Sequence, residues 1–182
     1  MKIKYFLVLL GLLLISACTE GPETLTIMTH DSFAISEPII AAFEEENNFD
    51  VIFLPSGDAG SVLNRAILSK DAPIADVLYG IDNTYLSRAL GEDLFETYDS
   101  PLLSKISDEF KLDILNRAIP INYGDVCINY DKNYFKEVDL ALPTSLNDLA
   151  EPQYAGLLVV ENPATSSPRL AFLLATIAEF GD

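Results

Sequence analysis

Asp50-Val51-Ile52-Phe53-Leu54 runs straight into Pro55-Ser56-Gly57-Asp58-Ala59-Gly60, and the change of character between these stretches decides the fold. The first is short, apolar and rich in β-branched and aromatic residues, which reads as a strand. The second is made of turn formers and opens into a helix expected to run to about Ser69. The same unit recurs on both sides. Upstream, Thr24-Leu25-Thr26-Ile27-Met28-Thr29 alternates as a strand and leads through His30-Asp31-Ser32-Phe33 to a helix expected from about Glu37 to Asn47. Ser36 and Pro38 suit the start of that helix, and Ile39, Ile40 and Phe43 fall on one face. Downstream, Ala75-Asp76-Val77-Leu78-Tyr79-Gly80 reads as a third strand, followed by Ile81-Asp82-Asn83 and a helix through Leu90. Strands alternating with helices predict α/β layers around a mostly parallel sheet. Ligands of such sheets gather beyond the carboxyl ends of the strands, where loops meet helix N-termini.

Further on, the pattern is looser. A short helix is expected around Ser107–Asn116, and strands at Ala118–Ile121 and Asp125–Tyr130. A short helix is expected at Ser145–Leu149, a buried strand at Leu157–Val160, and an apolar-periodic helix from about Arg169 to Phe180. The carboxyl-end rule therefore selects the loops after Met28, Leu54, Gly80 and Val160, each of which carries a polar or glycine-containing cluster.

The chain has 182 residues, 49% of them hydrophobic, which is enough apolar material for a core. Its formal net charge is −17, from 11 Lys+Arg against 28 Asp+Glu, so nucleic acid is excluded as a natural partner. The acidity either steers a cationic ligand or simply solvates the surface. Lys2 and Lys4 precede an apolar run from Tyr5 to Ile15, then Ser16-Ala17-Cys18 and the polar Thr19-Glu20-Gly21-Pro22-Glu23. The apolar run has the length of a signal-peptide core and is short for a membrane span. Ile15-Ser16-Ala17-Cys18 resembles the lipobox of bacterial lipoproteins. Residues 1–17 are therefore expected to be a signal peptide, Cys18 a lipidation site, and 18–23 a short leader. Cys127, between Val126 and Ile128, reads as a buried small hydrophobe. His30 stands alone, without the partners a histidine metal site needs, and Glu44-Glu45-Glu46 reads as a solvated helix face.

Five stretches then stand out together: Thr29-His30-Asp31-Ser32-Phe33, Asp76 to Asn83, Asn122-Tyr123-Gly124-Asp125, Tyr130-Asp131-Lys132, and Glu161-Asn162-Pro163-Ala164-Thr165-Ser166-Ser167-Pro168. In order and spacing they resemble the thiamine-binding components of bacterial ABC transporters. The resemblance implies an α/β fold of the type II periplasmic-binding-protein kind, two α/β lobes joined by a hinge and closing on ligand. Residues 24–121 would form the first lobe, and 122–182 the hinge crossing and the start of the second. Because the resemblance breaks off at Gly181-Asp182, the second lobe is expected to be incomplete in this chain, with apolar strand and helix faces lacking partners. Much of the aromatic cage for the ligand would lie beyond it.

Each candidate site residue has two readings. Ser166 and Ser167 open a helix and are either ordinary caps or, as the resemblance implies, the seat of a thiamine hydroxyl or phosphate. Asp58 and Ala59 match a family pair that touches the ligand, although the family has glycine at the second position. They also suit a plain strand-to-helix turn with Asp58 as its cap. Asp82 and Asn83, and likewise Asp31 and Ser32, either meet a cationic or aminopyrimidine ring or form Asx turns and caps. Tyr123 and Asp125 flank Gly124 in the expected hinge, where the tyrosine face either stacks on the ligand or packs the hinge. Tyr79 and Tyr130 read as structural. No cofactor and no metal are expected, only a ligand, thiamine or a thiamine phosphate.

The resemblance thus implies an exported solute-binding lipoprotein, monomeric when complete. Lipid at Cys18 would hold it at the outer face of the cytoplasmic membrane or in the periplasm, where it delivers its ligand to an ABC permease. The same fold could instead serve ferric ion, a polyamine or an oxyanion. A sensory lipoprotein domain is a further alternative. An enzyme has little to build on, because no G-x-S-x-G, G-x-x-x-x-G-K-[ST], G-x-G-x-x-G or H-E-x-x-H occurs and there is one histidine.

Overall fold

The computed structural model describes residues 21–181. The expected signal peptide and Cys18 lie outside the described residues. Three strands form one parallel sheet in the order β2-β1-β3: β1 (Glu23–Thr29), β2 (Phe49–Pro55) and β3 (Val77–Leu78). Between them come α1 (Glu37–Asn47) and α2 (Ala59–Leu68), and β3 is followed by α3 (Asn83–Gly91). The sequence boundaries hold to within a residue or two, except that the third strand pairs over only two residues.

Register brings the strand ends level. Met28 stands opposite Leu54 on one side and Leu78 on the other, so the loops leaving all three strands emerge along one edge. Backbone bonds carry the ladder into those loops: Ser56 N–H donates to Thr29 O (2.9 Å), and Tyr79 N–H to Met28 O (2.8 Å). Asp76 holds the other end of β3, its amide donating to Thr26 O (2.9 Å) while its carboxylate accepts from Thr26 N–H (2.8 Å).

The core lies where α2 and α3 meet. Ala59, Leu63, Tyr85 and Ala89 form a buried cluster, flanked by Ile67, Ile81, Leu94 and Phe95. Val62 and Leu63 are fully enclosed, each contributing about 1.5–3 kcal/mol by leaving water. By contrast α1 buries none of its residues fully; Ile39 and Phe43 stay partly exposed, although they share a face as read from the sequence. The acidic run on α1 is not all solvated. Glu44 is half-buried and accepts Val51 N–H at 2.8 Å, satisfying a donor on the outer strand of the sheet.

Beyond α3 the expected helix around 107–116 reduces to a 3-10 turn, Asp108–Phe110. The chain is instead pinned by Asp113, which takes Arg117 through its amide (2.8 Å) and guanidinium (2.9 and 3.1 Å). Two short helices and a long one follow: α4 (Lys132–Glu137) behind an Asp131 cap, α5 (Leu146–Leu149) behind a Ser145/Asp148 capping box, and the long α6 (Ser167–Phe180).

Three expected strands are absent. Ala118–Ile121, Asp125–Tyr130 and Leu157–Val160 have no ladder partner among the described residues. An extended segment without a neighbour leaves its backbone groups and side chains to solvent. Accordingly Ile121, Val126, Ile128 and Val159 are exposed, and so is Cys127, against the expectation of burial. The segments 126–130 and 156–160, with α4, α5 and one side of α6, wall an apolar cavity of about 770 Å³. Unpartnered apolar faces were the sequence expectation here.

Candidate functional site

The edge of the sheet carries most of the candidate residues, and the first loop braces the second. Asp31 Oδ1 accepts Gly57 N–H at 2.8 Å, and Asp31 N–H donates to Gly57 O at 3.0 Å. Asp31 therefore forms a long-range brace between two loops, in place of the local Asx turn or cap read from the sequence, and stands beside the Gly57-Asp58 turn. Ser32 Oγ lies 2.9 Å from His30 Nδ1. The His30 ring leans on Tyr79 (centroids 5.8 Å apart), and Phe33 bridges Tyr79 (4.9 Å) and Phe53 (5.3 Å). The structural reading of Tyr79 holds, as part of an aromatic floor under the strand ends that the sequence reading did not assemble. Gly80 is what lets His30 lie there, because it has φ +109° and a Cβ on it would fall 2.5 Å from His30 Cδ2.

Three helices start at this edge, and they treat their first turns differently. Asp82 caps α3 fully: its Oδ1 accepts Thr84 N–H (3.0 Å), Thr84 Oγ1–H (2.7 Å) and Tyr85 N–H (3.3 Å). Asn83 is exposed at the first position of that helix. Asp58 occupies the cap position of α2 but makes no side-chain cap bond, and its side chain is exposed. Ala59 behind it is buried in the core cluster. Ser166 occupies the cap position of α6, is 5% exposed, and also makes no cap bond. Its hydroxyl donates instead to Glu161 Oε2 (3.0 Å), while Glu161 Oε1 pairs with Arg169 (3.2 Å). The first turns of α2 and α6 thus keep backbone N–H groups that no cap side chain takes up. Such groups, with the helix dipole, favour an acceptor or an anion. Ser167 is half-buried at the first position of α6.

The loop leading to α6 is carried to the other helix starts by direct contact. Gly60 N–H donates to Thr165 O (3.0 Å), and Tyr85 Oη–H donates to Pro163 O (3.1 Å). Burial, reinforced by the Asp82 carboxylate, raises the Tyr85 pKa, so the hydroxyl remains a donor across the neutral range. Leu170, one turn into α6, packs on the same core cluster. Asp31, Ser32, Asp58, Ala59, Asp82, Asn83, Ser166 and Ser167 are therefore gathered at linked loops along one edge.

Tyr123 and Asp125 are less firmly held. Asn122 Nδ2 donates to Tyr79 Oη at 2.8 Å, which brings the crossing segment beside the end of β3. The Tyr123 ring is 77% exposed and stacks on Phe110 (centroids 4.8 Å apart, planes 15° apart). Asp125 is exposed. Phe110 was not singled out from the sequence, and a single phenylalanine in a short expected helix gives no signal of such a partner. Gly60 did carry one, because glycine in a helix's first turn is a poor helix former and often marks a close approach. Among the described residues, no group of three or more His, Cys, Asp and Glu is arranged to hold a metal, and no helix is long and apolar enough to cross a membrane.

Known proteins share both the sequence and the fold. The thiamine-binding periplasmic protein of Brucella suis biovar 1 (strain 1330) is 30% identical over 174 residues, covering 92% of this chain and 50% of that one. A solved periplasmic thiamin binding protein is similar with a TM-score of 0.59 and 27% identity, over 91% of this chain and 51% of that one. The periplasmic binding protein P5PA shows the same fold, with a TM-score of 0.68 at 21% identity over 87% and 51%. The chain spans about half the length of the curated relatives it matches. The described architecture is accordingly the periplasmic-binding-protein α/β fold. A family model described as bacterial extracellular solute-binding protein matches residues 72–182, more than half of the chain, and this protein belongs to that family.

Proposed function

We propose that this protein captures thiamine or a thiamine phosphate at the edge defined by Asp31, Asp58 and the start of α6, and delivers it to an ABC importer. The observation that carries the reading is the meeting of two first turns whose cap positions make no side-chain cap bond, α2 and α6, beside two carboxylates, Asp31 and Asp58. Thiamine has complementary ends. Its thiazolium bears a fixed positive charge, and its side arm ends in a hydroxyl or a phosphate.

A carboxylate about 4 Å from the thiazolium would contribute roughly 1 kcal/mol in water and about 4 kcal/mol at an effective dielectric of 20. The exposed face of Tyr123, backed by Phe110, would add about 0.5–2 kcal/mol against a cation. The hydroxyl or phosphate would lie against Ser167 and the free N–H groups of α6, with Arg169 nearby on the same turn. No bond is made or broken; capture and release are the whole task. Tethering through lipid at Cys18, outside the cytoplasmic membrane, completes the proposal.

Isothermal titration of the intact protein, produced without residues 1–18, tests it. Thiamine and thiamine phosphate are titrated in parallel with ferric ion, spermidine and inorganic phosphate. One-to-one binding of thiamine or its phosphate at micromolar concentration or below is the expected result. Binding of a comparison ligand alone would overturn the thiamine assignment.

A further inference from the structure

Gly60 lies in the first turn of α2, and no left-handed backbone requires it there. What requires it is proximity. A Cβ at this position would meet Ala164 O at 2.7 Å, Tyr85 Oη at 2.8 Å and Thr165 Cα at 2.9 Å. Two of these three atoms are backbone, so the collision could not be relieved by turning a side chain. The 162–166 loop is itself a braced turn: Thr165 N–H and Ser166 N–H both donate to Asn162 O (3.2 and 3.1 Å), and Ala164 N–H donates to Asn162 Oδ1 (2.9 Å). A turn tied internally in this way moves as one piece. Its position relative to the sheet is set by what it rests on, which is the Gly60 amide and the Tyr85 hydroxyl.

We propose that Gly60 and Tyr85 are positioning residues, which seat the 163–165 loop on the starts of α2 and α3 and thereby fix Ser166 and Ser167 relative to Asp58 and Ala59. The inference rests on the ligand reading above. It adds that the two halves of the site are aligned by one backbone bond, Gly60 N–H to Thr165 O, and one side-chain bond, Tyr85 Oη–H to Pro163 O. Tyr85 is 5% exposed and its bond to Pro163 is part-buried, so removing the hydroxyl leaves the Pro163 carbonyl without that donor.

The molecule supplies its own control. Tyr154 is also 5% exposed, and its hydroxyl also donates to a backbone carbonyl, Ala141 O at 2.9 Å, a bond that does not involve the 162–168 segment. Tyr85→Phe and Tyr154→Phe therefore delete equivalent bonds at different places. In the intact protein, both variants are measured for thiamine affinity by titration and for amide hydrogen exchange over residues 162–168. Tyr85→Phe is expected to weaken thiamine about tenfold and to speed exchange in that segment about tenfold. Tyr154→Phe is expected to do neither, while lowering the melting temperature by a similar amount. Gly60→Ala should weaken binding further. Equal effects of the two tyrosine variants would reduce Tyr85 to a structural role and overturn the proposal, as would faster exchange with unchanged affinity. If the parent protein takes no thiamine, the ligand reading fails by itself. Hydrogen exchange then decides the seating, and unchanged exchange in Tyr85→Phe would overturn it.

Discussion

Replacing Asp82 separates two roles that a carboxylate at a helix start can hold. Its Oδ1 accepts three bonds, from Thr84 N–H, Thr84 Oγ1–H and Tyr85 N–H, at 3.0, 2.7 and 3.3 Å. Asp82→Ala removes all three and leaves the first turn of α3 uncapped, which costs about 0.5–2 kcal/mol. Asn ranks with Asp as a cap and offers an oxygen of the same reach, so Asp82→Asn should keep the three bonds. It loses only the favourable meeting of negative charge with the helix N-terminus, about 0.3–1 kcal/mol. For a chain of this size each kcal/mol shifts the melting temperature by about 2–4 °C. Calorimetric melts of the intact protein should therefore place Asp82→Ala about 1–8 °C below the parent and Asp82→Asn between them. Thiamine affinity in Asp82→Asn should stay within about threefold of the parent, since all three bonds belong to the cap. An Asn variant that melts as low as the Ala variant would refute the capping argument. An Asn variant that melts normally but loses affinity tenfold or more would show that the charge itself meets the ligand.

Gly80→Ala should be costly for two reasons, a φ of +109° and a Cβ 2.5 Å from His30 Cδ2, together at least about 1–3 kcal/mol by chemical denaturation. Adding His30→Ala should recover the part due to collision and leave the part due to backbone strain; no recovery would count against the contact. Asp113 provides the pH-dependent case. The hydrogen bond from the Arg117 guanidinium, aided by backbone N–H groups, holds its pKa down at about 2, below the unfolded value near 3.9. A depressed folded value means the stabilisation is full above about pH 4 and is lost as pH falls through about 2. Urea midpoints of the parent should fall more steeply between pH 4 and pH 2 than those of Asp113→Asn, and parallel curves would refute the assignment.

Sequence reading was most successful where structure is local. The strand Thr24–Thr29 announces itself by alternation, and α2 by the turn formers before it. The order of elements follows from these, and with it the parallel sheet and the edge where loops gather. Reading failed where a segment depends on a neighbour. Leu157-Leu158-Val159-Val160 has strand composition, yet composition cannot supply a ladder partner, and none stands beside it among the described residues. Glu44 illustrates the same limit on a smaller scale, for its i, i+1, i+2 acidic run looks solvated until β2 brings Val51 within reach.

Four residues of the edge were thus decided by sequence: Asp31, Ser32, Asp58 and Asp82 follow strands or begin helices, positions fixed by short-range rules of turns and caps. Ser166 begins a helix as read, but the strand expected before it is absent, and it reaches the edge only through the contacts of the 163–165 loop with Gly60 and Tyr85. What each does there was decided by tertiary structure. Asp82 spends its oxygen on a cap, while Asp58 stands free and Ser166 gives its hydroxyl to Glu161. The partner of the Gly60 amide, Thr165, more than a hundred residues away, was also invisible beforehand. The physical reason is common to all of them. A turn or cap propensity is set by a residue and its near neighbours, whereas a hydrogen bond across the fold exists only once packing has placed donor and acceptor within about 3 Å.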